Sequence, residues 1–176
     1  MQLPRLTALS ALLGGAVFAF AGAVSATHGD FGGTHNTIDS TSEYLVTAGF
    51  GLGLLLIAPV YAALRRITGS RAGLVAVVPL VVLGVMSLAS VAMGEDAAFF
   101  NAVAPLCLLT WLAASSVLAR ALRRAGAPLA VAIALPLLVP ATVVLAPVGG
   151  QLITGAAFLA VGIRTLRGAA LRPAVA

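Results

Sequence analysis

Lysine is absent from this chain, and charge of any kind is scarce. Only 9% of the 176 residues are charged, against about 25% in a soluble domain. There is one cysteine, Cys107, inside an apolar run. A lone thiol closes no internal disulfide, which excludes dithiol chemistry within the chain and leaves Cys107 as a small apolar residue. No glycine-rich phosphate loop is present, so no nucleotide is bound. There is no HExxH pair and no paired-cysteine framework of the kind that holds zinc. No histidine falls in the middle of an apolar run, so a haem ligated within a bundle is not expected. No carboxylate or arginine series falls there either, which argues against a voltage sensor, a mid-depth proton relay and a cation pore.

What remains is 61% hydrophobic, with a mean hydropathy of +1.11. The apolar runs are unbroken rather than alternating, so strands of a barrel are excluded. A helix needs about 20 apolar residues to cross a bilayer. The expected fold is therefore all-α, a polytopic transmembrane helical bundle forming one domain over residues 1–176. Six spans are expected, at Leu6–Ala26, Glu43–Leu64, Ala72–Met93, Ala97–Leu118, Pro128–Leu145 and Val148–Ile163. The small residues Val24, Ser25 and Ala26 sit at the spacing of a signal-peptidase site, but the first run is long for a leader and reads as a retained helix. Pro136, Pro140 and Pro147 interrupt the last two runs, so a single re-entrant region is the alternative there, and a bend at Pro136 or Pro140 is expected.

The arginines and the acids alternate between successive gaps. Arg5, Arg65, Arg66, Arg71, the Arg120–Arg124 cluster and the arginines from Arg164 onward fall on one side, while Asp30, Asp39, Glu43, Glu95, Asp96, His28 and His35 fall on the other. Arginine is retained in the cytoplasm during insertion. Both termini are therefore expected to be cytoplasmic, in a plasma-membrane protein. The net charge of +5 then reflects lipid anchoring, not a nucleic-acid partner. Ala63-Leu64-Arg65-Arg66 recurs as Ala121-Leu122-Arg123-Arg124, a pattern on which any helix ending in the cytoplasm converges.

Small residues let membrane helices approach closely. Gly15, Ala19, Gly22 and Ala26 form such a face on the first span, Gly49 and Gly53 on the second, and Gly155 and Gly162 on the sixth. The first two helices are expected to cross closely, or the glycine face serves an oligomer.

The outer loop Thr27–Ser42 is the only long polar segment. It is expected to fold over the mouth of the bundle. Its His28, Asp30, His35 and Asp39, with Glu43 just beyond, are the candidate catalytic residues. Histidine titrates near neutral pH, and a carboxyl at an apolar boundary is pushed toward its protonated form. The same donors suit a divalent metal, with copper a variant through Met86 and Met93, though no compact ligand spacing is present. The competing structural reading makes Ser40 and Glu43 a helix-capping box and Asp96 a cap for the fourth helix. Asn101 and Gln151 would deepen an outward-facing polar vestibule. Two functions follow. One is a small binding, transport or accessory subunit, in contact with membrane lipid and a lipophilic ligand, and assembled as a homo-oligomer or on a partner membrane subunit. The alternative is a membrane isomerase, cyclase or hydrolase that acts on a lipophilic substrate through the outer histidines and carboxylates.

Overall fold

A computed structural model describes residues 4–28, 37–96 and 99–170. It contains six α-helices: α1 (Arg5–His28), α2 (Thr41–Thr68), α3 (Ala72–Met93), α4 (Phe100–Arg124), α5 (Leu129–Val144) and α6 (Gly150–Ala170), with a 3-10 turn at Ala146–Val148 between the last two. No strand occurs among the described residues, and Thr37 and Glu95 form an isolated antiparallel bridge. The helices α1 to α4 are long and apolar enough to cross a membrane. The sixteen residues of α5 extend about 24 Å at 1.5 Å per residue. In α6 the apolar stretch is bounded by Gln151 and by Arg164.

Several helices run beyond the apolar runs that announce them. Helix α2 continues through Arg65 and Arg66, and α4 through Arg123 and Arg124. Cationic residues favour the carbonyl end of a helix, and their long stems lie along apolar surface. His28 is likewise helical, in the last turn of α1, rather than part of the loop that follows. Helix ends are set by local chemistry. Ser40 and Glu43 form a reciprocal capping box at the start of α2, as expected. Glycine in the left-handed region ends α2 at Gly69 and α3 at Gly94. Asp96 does not cap the fourth helix: α4 starts four residues later, and its N-cap Phe99 makes no side-chain cap hydrogen bond.

The helices form a ring in chain order, closed by α6 packing on α1. Each neighbouring pair whose contacts fix its sense is antiparallel, as the glycine contacts show. Along α1, Gly14 meets Ile57, while Phe18 lies against Gly53 and Ala21 against Gly49. On the other side of α1, Gly15 meets Gly155 and Leu159, and Leu12 meets Gly162. Gly51 and Gly84 bring α2 onto α3. Gly49 and Gly53 are thus used inside the chain, on α1. The α1 face with Gly15 and Gly22 serves α6.

This order gathers the described arginines at one end of the ring and the described acids and His28 at the other. At the acid end Ile38 N–H donates to Gly94 O at 2.9 Å, tying the α1–α2 connection to the α3–α4 turn. Large apolar side chains are exposed on all six helices, among them Leu13, Leu52, Val78, Leu109, Leu137 and Ile153. A surface of this kind suits lipid, because water-soluble proteins rarely expose apolar residues so continuously.

Candidate functional site

Several polar side chains are buried within the bundle. Ser25, Ser87, Ser90, Ser115, Thr142 and Thr154 are buried, and most hydroxyls find partners. Ser25 Oγ donates to Ala146 O at 2.6 Å, tying α1 to the 3-10 turn. Thr142 Oγ1 donates to Leu138 O and meets Thr154 Oγ1, each at 2.5 Å, joining α5 to α6. Ser115 Oγ lies 3.4 Å from the Tyr61 hydroxyl, between α4 and α2.

Three groups are different. Gln151, in the first turn of α6, is 0% exposed, and neither Oε1 nor Nε2 has a hydrogen-bond partner among the described residues. The same holds for Trp111 Nε1 and Ser90 Oγ. A buried amide or hydroxyl without a partner costs about 1–3 kcal/mol, and such groups are few in folded proteins.

Helical spacing relates these groups to the core. Phe158 lies seven residues beyond Gln151 and so shares its face of α6. Phe158 packs on Tyr61 with ring centroids 6.4 Å apart. Tyr61 in turn meets Trp111 edge-on, again at 6.4 Å. All three aromatics are buried. The interior therefore carries an amide and two threonine hydroxyls toward the acid end, and a Tyr61–Trp111–Phe158 group with Ser115 toward the arginine end. No charged side chain is buried among the described residues.

The candidates from the outer loop are placed differently. Glu43 Oε2 accepts from the backbone N–H of Asp39 at 2.8 Å and of Ser40 at 3.1 Å. Asp39 is exposed, and its Oδ2 accepts from the Thr37 hydroxyl at 3.0 Å. His28 is exposed, with Nδ1 beside Thr27 Oγ1 and Val24 O on its own helix. Asp30 and His35 lie outside the described residues. Among the described residues no group of three histidine, cysteine or acidic side chains is placed to hold a metal. Asn101 is exposed, so of the two amides expected in a vestibule one faces outward and the other is enclosed.

The sequence placed Gln151 with Asn101 in an outward-facing vestibule and gave no sign that it would be enclosed. What marks it out is that it is the only carboxamide in the last two apolar runs, and it lies within one heptad of Phe158. Compared with protein-family models, curated proteins and solved structures, the chain matches none of them.

Proposed function

We propose that this chain is a plasma-membrane protein with all six helices crossing the bilayer and both termini cytoplasmic, and that it binds or carries a small ligand in its polar interior. The observation that carries the binding role is Gln151, a fully enclosed carboxamide with both polar atoms unpartnered among the described residues. Such a group lowers stability and is retained where something else uses it. Six crossings are supported by the exposed apolar residues of α5 and α6, including Ile133, Leu137, Ile153 and Val161. A bilayer thins locally around a short helix such as α5 at modest cost. The orientation is supported by arginine at one end of the ring and acid at the other.

The enzymatic alternative draws less support. Its carboxylates Glu43 and Asp39 are occupied by helix capping and by a loop hydroxyl, at the exposed end of the bundle.

The test is thermal unfolding of the purified protein in lipid nanodiscs with acetamide, glycerol, acetate or methylammonium. A saturable rise in unfolding temperature with at least one solute, lost in Gln151→Met, supports a binding protein. If none of them shifts the transition, the binding role fails, and the accessory-subunit reading takes its place.

A further inference from the structure

Resting on that reading, we propose that Gln151 recognises a neutral ligand carrying a hydrogen-bond donor and an acceptor side by side, as in a primary amide, a urea or a protonated carboxylic acid. The inference comes from what the interior offers and what it has already used. Thr142 and Thr154 hydroxyls are engaged with each other and with Leu138 O. The Ser25 hydroxyl is engaged with Ala146 O. Besides the Ser90 hydroxyl on α3, the unused capacity toward the acid end is the Gln151 carboxamide, one donor group and one acceptor on the same carbon. A ligand with the complementary edge satisfies both in one step. A simple cation or anion would satisfy at most one, and no buried charged side chain among the described residues would balance it. A hydrocarbon would satisfy neither.

Gln151 is enclosed entirely by its own chain, so a partner helix or a lipid headgroup does not reach it without rearrangement. A small ligand would gain access only by displacing the α5–α6 turn from the end of α1, where Gly149 meets Ala26. Pro136 and Pro140 each remove a backbone donor from α5, and Gly149, at φ +81°, joins the 3-10 turn to α6. The Ser25–Ala146 hydrogen bond is the side-chain tie that holds the turn to α1.

The test uses the full chain in lipid nanodiscs at neutral pH, with acetamide, acetate and methylammonium as probes of one size and three charge states. The wild type should show a saturable rise in unfolding temperature with acetamide and none with the two ions. Gln151→Met removes the amide at similar volume. It should unfold about 2–4 °C higher than wild type without ligand and lose the acetamide response. Asn101→Met, which removes an exposed amide, should keep that response. A rise with acetate or methylammonium but not with acetamide overturns the ligand class while leaving an interior binding site intact. No rise with these probes or with glycerol overturns both. An acetamide response that survives in Gln151→Met moves the site elsewhere. A Gln151→Met protein that unfolds at a lower temperature shows the carboxamide to be satisfied within the fold, and overturns the inference.

Discussion

Phe18 on α1 lies flat against Gly53 on α2: a methyl group added at Gly53 would stand 2.9 Å from two carbons of the Phe18 ring. The glycine exists to admit the ring, and Phe18 is fully buried as a result. The same logic governs the opposite flank of α1, where Gly15 and Gly155 face each other.

Substitution at Gly155 should therefore be costly. A Cβ there would lie 2.5 Å from Ala19 N and 2.7 Å from Gly15 O, backbone atoms that cannot step aside. Gly155→Leu should destabilise the bundle by about 3 kcal/mol or prevent α1–α6 packing, since overpacking alone costs about 1–3 kcal/mol. Gly69→Ala provides the contrast. Gly69 has open space around it but a φ of +67°, so the cost should be only about 1 kcal/mol. Thermal unfolding in one detergent compares the two.

The capping box should matter for stability. Ser40→Ala removes the acceptor that holds Glu43 N–H at 3.1 Å, and the expected loss is about 1 kcal/mol. Glu43→Ala, which removes the reciprocal bonds, should also lower the unfolding temperature. A Glu43→Ala protein of unchanged stability would show the cap to be dispensable and return that carboxylate to the list of functional groups.

Trp111 separates packing from hydrogen bonding. Trp111→Ala removes a fully buried ring in contact with Tyr61, and should cost about 3–5 kcal/mol. Trp111→Phe keeps an aromatic ring and deletes the N–H that has no partner among the described residues. It should lose much less than Trp111→Ala. Equal losses in the two variants would mean that the indole nitrogen has a partner inside the bundle.

Orientation is tested by single cysteines in a Cys107→Ala background. An impermeant thiol reagent applied to intact cells should label Glu95→Cys and spare Ser70→Cys and Ala125→Cys. Labelling at position 125 with none at position 95 would invert the topology.

The helices were legible because a bilayer span must satisfy its backbone internally, which leaves long apolar runs as the signal. Ala72–Met93 is the same in sequence and structure, since a charged or glycine residue bounds it on both sides. The other boundaries shifted where hydropathy and helix chemistry disagree: Arg65, Arg66, Arg123 and Arg124 end an apolar run without ending a helix. The capping box was readable because Ser40 and Glu43 are three residues apart and need no tertiary information. The assignment of glycine faces was less readable. Gly15 and Gly49 look alike in sequence, yet one meets α6 and the other α1. Ring closure brings them there, and ring closure leaves no local pattern. The enclosure of Gln151, read in sequence as part of an open vestibule, was hidden for the same reason, since it depends on Gly22 and Gly150 bringing α1 and the α5–α6 turn together around it.

The sorting of charge along the ring has a practical corollary. With no lysine in the chain, and with the described arginines and acids at opposite ends, the two faces answer to different reagents. A dicarbonyl that condenses with guanidinium addresses one face, and a carbodiimide that activates carboxyls addresses the other. The protein could be fixed to a surface by either end, and a sensor built on it would present one known face to solution.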